Sequence, residues 1–134
     1  MLENLRVIQS SFERGDFSNC HLLNCNLRGA KLKGAKLSFS NLRRSDFSEA
    51  DLTGADMEGI VAVESLLMGT LMNEAKLTGA DLMLCVMHRA QLAGADVTKA
   101  NLFMADLSGA KGDKKTSFSG SNVKRALVAG GFNG

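Results

Sequence analysis

The sequence has no proline, tryptophan or tyrosine, and seven phenylalanines are its only aromatic residues. A large core anchored on aromatic side chains is therefore not expected. No apolar run approaches the ~18 residues that a membrane span needs, so no membrane span is expected. The first ten residues include Glu3 and lack a long apolar segment, so no signal peptide is visible. There are three cysteines, an odd number, which argues against a disulfide framework. A reducing, cytoplasmic setting is the simplest expectation, with export by a route other than a classical signal peptide as the alternative. The net charge is only +2, so no general pull toward nucleic acid or an anionic membrane is expected. Glycine is abundant instead, with 14 in 134 residues.

Internal repeats decide the rest. Stepping by five from Phe12 gives Phe17, Leu22, Leu27, Leu32, Leu37, Leu42, Phe47, Leu52 and Met57, and the series runs on to Leu107. These 20 consecutive centres are all apolar and no insertion breaks them. The residue two before each centre is small: Ala ten times, Ser four times, Cys three times, with single Gly, Thr and Ile. Cys20, Cys25 and Cys85 all fall in this small column. They are expected to be buried fillers rather than ligands or nucleophiles. Ile60 is the one large side chain in the small column, and the next centre, Ala62, is the one small centre. That swap roughly conserves volume, as a close-packed interior requires.

A period of five fits neither a helix nor a plain strand. In extended chain, alternate side chains share a face. The small residue and the centre can both point inward, with one outward residue between them. Two outward residues then follow in a row, and these require a corner. Gly stands at the second of them in eight of the 20 repeats, which suits a turn position with φ > 0. A chain that bends the same way every five residues must coil.

Segments such as Ala50-Asp51-Leu52-Thr53-Gly54, Ala80-Asp81-Leu82, Ala100-Asn101-Leu102 and Ala105-Asp106-Leu107 resemble the A(D/N)LXX unit of the pentapeptide repeat family. The resemblance covers residues 10–109. It implies an all-β fold, a right-handed quadrilateral β-helix with four repeats per coil. Twenty repeats then make about five coils, a rod of about 24 Å at ~4.8 Å per coil. Its ends need caps. Residues 1–9 are expected to cap the N-terminal end. Residues 110–128 form a loop and capping segment: Lys111 to Lys115 reads as the loop, and Phe118, Val123 and Val128 resume the spacing one residue out of register. That segment is expected to add a partial coil or to fold back as a lid. Residues 129–134 are expected to be a loose tail.

Residues 20 apart should stack on one face. The outward column of the second face reads Asp16, Lys36, Asp56, Lys76, Asp96, alternating in sign at every coil. Larger blocks alternate too. Arg28, Lys31, Lys33, Lys36, Arg43 and Arg44 form a basic belt, followed by the acids Asp46, Glu49, Asp51, Asp56, Glu58 and Glu64. The belt reads either as a nucleic-acid contact or as pairing between neighbouring coils, and the second is favoured. The resemblance also implies one activity, since some members of the family mimic DNA and bind DNA gyrase. A mimic needs a densely negative surface. Residues 10–109 hold 12 acids and ten bases, which disfavours it.

The third face, centred on Leu22, Leu42, Ala62, Leu82 and Leu102, carries apolar residues on its outside. Leu23, Val61, Val63, Met83, Leu84, Phe103 and Met104 belong to it, and Leu66, Met68 and Val86 lie on the neighbouring face. Contiguous apolar surface of this kind usually marks an interface. These ten residues are the candidate protein interface, for a partner protein or a second copy of the chain. Cover by a folded-back C-terminal lid is the competing expectation. His21 and His88 point outward on different faces. There is no metal-spaced Cys/His cluster, phosphate loop or nucleophile elbow. No catalytic, metal or cofactor site is expected. The expected function is that of a non-catalytic scaffold or adaptor. Similar small repeat proteins occur beside bacterial secretion machinery, including type VI systems, so an accessory or effector-associated module is one form of it. A gyrase-directed mimic and a structural spacer are the alternatives.

Overall fold

The structure, a computed structural model, describes residues 1–128; the expected tail lies outside them. Parallel bridges join Ser11 to Lys31, Lys31 to Asp51, Asp51 to Leu71 and Leu71 to Gln91. The same step of 20 holds on the other three sides, as from Asp16 to Lys36, His21 to Asn41 and Asn26 to Asp46. A chain with period five that meets itself every 20 residues has four sides. The fold is a right-handed quadrilateral β-helix. Among the described residues only two strands reach two residues, β1 (Leu2–Glu3) and β2 (Leu22–Leu23), and they pair in parallel.

The backbone accounts for the repeat. In each regular five-residue unit three N–H groups donate to a neighbouring coil. Leu32 donates to the Asp51 carbonyl (2.8 Å), Gly34 to Thr53 (2.9 Å) and Lys31 to Ser10 (2.8 Å). A fourth closes the turn, as Ala35 does onto the Leu32 carbonyl at 3.0 Å. The fifth, just after the centre, has no backbone partner. The Asp or Asn before the centre supplies one: Ser18 N–H donates to Asp16 (3.0 Å), Phe103 to Asn101 (3.2 Å) and Ser108 to Asp106 (2.9 Å). This is the physical reason for Asp and Asn in that column, since buried or crowded N–H groups must be paired.

The corner residue has positive φ in all 20 repeats, whether it is Gly (Gly54, +64°) or not (Leu84, +59°; Met104, +56°). With the closing bond from residue four to residue one, this is the type II arrangement that the sequence suggests.

The centres from Leu22 to Leu107 are buried, and so are the small residues from Cys25 to Ala105. Ile60 and Ala62 lie side by side in the core, as the volume swap requires. The buried Ser40 hydroxyl donates to the Leu37 carbonyl of its own turn, whereas four other buried hydroxyl and thiol groups donate to a carbonyl of the previous coil. Ser65 reaches Leu42 (2.7 Å), Thr70 reaches Phe47 (3.0 Å) and Cys85 reaches Ala62 (2.8 Å), while Ser45 bonds Leu22. No buried side-chain polar atom lacks a partner among the described residues. Cys20 departs from expectation because it is only half-buried, whereas Cys25 and Cys85 are buried. It lies in the first full coil, which stacks on the half coil of residues 2–9.

That half coil belongs to the repeat. Leu2 and Val7 continue the five-residue frame, with Asn4 and Gln9 at left-handed corners (φ 57° and 55°). The far end resolves the alternative of coil or lid. Asp96 pairs with Ser117, Asn101 with Asn122 and Asp106 with Leu127, an offset of 21 on three successive sides. Residues 116–128 therefore continue the solenoid as a partial coil and do not fold back over the third face. The expected loop is a six-residue repeat: Lys111 still pairs with Gln91, and the extra residue is taken up in a turn where Thr116 N–H donates to the Asp113 carbonyl (3.1 Å). The Asp113 carboxylate accepts from the N–H groups of Gly94 and Lys115, both at 2.9 Å. These bonds hold its pKa below the usual carboxylate value.

Candidate protein interface

The corner between the third and fourth faces collects the exterior apolar residues over coils three to five, with Glu64, Asp81 and Asp106 interspersed among them. Coil three contributes Val61, Val63, Leu66 and Met68. Coil four contributes Met83, Leu84 and Val86, and coil five Phe103 and Met104. The backbone brings them together in register: Leu66 bridges Val86, and Leu84 N–H donates to the Phe103 carbonyl at 3.0 Å.

The ten residues are not equally exposed. Met104 (45%), Met68 (42%), Leu66 (37%) and Leu84 (37%) are open to solvent. Val61, Met83, Val86 and Phe103 are half-buried. Val63, at 9%, presents almost no surface, since Arg43 and Met83 stand one coil away on either side in its own column. Leu23 is half-buried and stands apart from the others. Arg43 occupies the coil between Leu23 and Val63, and all three line an open groove of about 470 Å³ with Arg44, Glu64, Asp81 and Met83. Leu71 (39% exposed) extends the surface around the next corner from Met68, and Phe39 (61%) stands alone on the second face. Both sit in outward columns, so an apolar residue out of place was the signal for each.

Charge surrounds this surface unevenly. Arg44 Nε donates to Glu64 Oε2 at 3.0 Å, and Arg28 Nη2 to Glu49 Oε1 at 2.8 Å. The Arg28 pair joins coil one to coil two and the Arg44 pair joins coil two to coil three, so two members of the basic belt pair between coils. In the alternating column of the second face the bridges fall as expected, from Asp16 to Lys36 and onward to Asp96. The carboxylates there turn to their own corners. Asp96 accepts from Thr98 N–H (3.0 Å) and from Thr78 Oγ1 (3.0 Å). Hydrogen bonds from Thr98, aided by Thr78 and Lys76, hold its pKa low. Asp16 is lowered mainly by its bonds from Ser18, with a smaller part from Lys36. Lys76 Nζ lies 3.6 Å from Glu58. Each such exposed pair is worth about 0–1 kcal/mol.

His21 and His88 face outward on separate faces, as expected. No group of three His, Cys, Asp or Glu residues is placed to hold a metal among the described residues. Burial pushes the Cys85 thiol up to about 12, so it is poorly suited to act as a nucleophile at neutral pH. No helix among the described residues is long and apolar enough to cross a membrane.

The family model for pentapeptide repeats matches residues 10–48, 25–61 and 65–102 in eight copies. The chain belongs to the pentapeptide repeat family. Among solved structures it is similar to the pentapeptide repeat protein Rfr23 from the cyanobacterium Cyanothece 51142. The two share 23% identity over 87% of this chain and 86% of that one, with a TM-score of 0.60. It is also similar to the pentapeptide repeat protein alr5209 from Nostoc Pcc 7120, at 23% identity over 82% and 84% of the two chains and a TM-score of 0.59. A pentapeptide repeat protein of the Arabidopsis thaliana thylakoid lumen shares 37% identity over 74% of this chain and 65% of that one, with a TM-score of 0.40. No curated protein matches the sequence.

Proposed function

We propose that the chain is a non-catalytic protein-binding scaffold whose docking surface is the corner between the third and fourth faces over coils three to five. The observation that supports this most directly is the cluster of Leu66, Met68, Leu84 and Met104, open to solvent on adjacent coils, with the C-terminal segment engaged elsewhere. Exposed apolar surface gathered in one place favours association, and methionine gives it an adaptable texture. An accessory or effector-associated module of a bacterial secretion machine is one form such a scaffold takes. The gyrase-directed alternative needs dense negative charge, whereas here acids and bases alternate and several carboxylates are tied into their own turns.

The test compares wild type with Met83→Asp/Phe103→Asp. Affinity capture from bacterial lysate should return partners with the wild type that the variant loses. Light scattering of the same pair separates a second copy of the chain from a different protein. Identical capture and identical mass for both proteins would remove the reading.

A further inference from the structure

The apolar stripe on the third face has cations at both of its ends. Along one outward column the order is Arg43, Val63, Met83, Phe103, Lys124, and the corner column beside it reads Arg44, Glu64, Leu84, Met104, Arg125. Lys124 follows Phe103 in space, since Met104 N–H donates to the Lys124 carbonyl at 3.0 Å. Arg44 is held by Glu64. The side chains of Arg43, Lys124 and Arg125 have no acceptor among the described residues, and all three are exposed. The nearby carboxylates are committed. Glu64 receives Arg44, and Asp81 accepts from Met83 N–H (3.3 Å) and Asn101 Nδ2 (3.0 Å). The stripe therefore presents apolar side chains in the middle and uncompensated positive charge at each end.

Resting on the docking surface proposed above, we infer that its partner is an amphipathic helix whose apolar side is bracketed by carboxylates. The geometry fits in two respects. Arg43 and Lys124 are four coil steps apart, about 19 Å at ~4.8 Å per coil, which a helix of about 13 residues spans at 1.5 Å per residue. The coil spacing of ~4.8 Å is close to the helical pitch of ~5.4 Å. A helix lying along the rod can thus set successive turns against Met83 and Leu84 on one coil and Phe103 and Met104 on the next before the two repeats drift apart. Carboxylates one or two residues beyond each end of that apolar run would meet Arg43 on one side and Lys124 and Arg125 on the other. Glu64 and Asp81, already bonded, leave the partner's acids as the available counter-charge.

Two labelled helical peptides of 15 residues test this, with the same leucine stripe and either two Glu or two Lys at each end. Anisotropy at 50 mM salt should give the Glu-flanked peptide about tenfold tighter binding, the sum of several weak pairs. The preference should shrink by 300 mM salt as screening shortens. In Arg43→Glu/Lys124→Glu/Arg125→Glu it should reverse in sign. Equal binding of both peptides, lost in Met83→Asp/Phe103→Asp, would overturn the inference while leaving the apolar docking surface standing. Binding that survives Met83→Asp/Phe103→Asp would overturn both, and so would absence of binding by either peptide at about 1 mM, weaker than ~4 kcal/mol of affinity.

Discussion

The ring of Phe39 lies across the corner that Gly59 makes one coil further on: a β-carbon at Gly59 would come within 2.6 Å of two ring carbons. Gly59 has φ +61°, and Gly54 has φ +64° with nothing within 4 Å of its own β-carbon position. Alanine at Gly54 should therefore cost only the left-handed backbone penalty, about 1 kcal/mol. Alanine at Gly59 should cost a further ~0.5–1 kcal/mol, because Phe39 must leave its rotamer. Chemical denaturation of the two variants measures the difference. In a Phe39→Ala background the two costs should become equal.

Ile60 and Ala62 exchange size within one coil, and both are buried. Ile60→Ala should lose about 2–4 kcal/mol to a cavity, and Ala62→Leu about 1–3 kcal/mol to overpacking. The double variant restores the usual small-then-large order. It should be more stable than the sum of the two losses by at least ~1 kcal/mol in a double-mutant cycle. Simple additivity would mean that the two side chains do not share one space.

Asp106 shows what the acid before each centre does. Its carboxylate accepts from Ser108 N–H at 2.9 Å, and bonds from Ser108, with a smaller part from His88, hold its pKa below 3.8. Asp106→Asn keeps the acceptor and should stay within about 0.5 kcal/mol of wild type at pH 7, whereas Asp106→Ala should lose about 1 kcal/mol. The sign of the pH dependence follows from the lowered pKa. The charged form's contribution is complete above the ordinary value of 3.8 and fades as pH falls through the lower folded value. Denaturation midpoints from pH 7 to pH 2.5 should show any gap between wild type and Asp106→Asn closing below 3.8.

The thiols should report coil by coil. Cys85 is buried, donates to the Ala62 carbonyl at 2.8 Å and has its pKa raised to about 12. Cys25 is buried as well, and Cys20 is only half-buried. A thiol reagent at pH 8 should modify Cys20 first and leave Cys25 and Cys85 intact until denaturant is added. Fast modification of Cys85 in the native protein would contradict its inward position.

The periodicity of the apolar centres revealed the core, the corner positions and the C-terminal slip in register, because each depends on a side chain's own size or on the glycine at the turn. The half coil at Leu2 and Val7 was hidden because Leu5 stands where a small residue is usual. The choice between partial coil and lid could not be read from Phe118, Val123 and Val128, since both arrangements are compatible with the same spacing. Exposure at the candidate interface was legible only as a direction. Val63 and Met104 occupy equally outward columns, yet one is covered and the other open, because that depends on the side chains one coil above and below. The charged column of the second face likewise had its register right. The competition from turn N–H groups, which draw Asp16, Asp56 and Asp96 away from the lysines, is a backbone effect that a column of charges does not display.

The corner between the third and fourth faces is the proposed docking surface. Its most direct test is photo-cross-linking in bacterial lysate, with benzoylphenylalanine placed at Leu84 or, on the far side of the rod, at Thr53. The account predicts a discrete cross-linked product from Leu84→benzoylphenylalanine, absent from Thr53→benzoylphenylalanine and lost when Met104→Asp is added. The same products from both positions, or none from either, would contradict it.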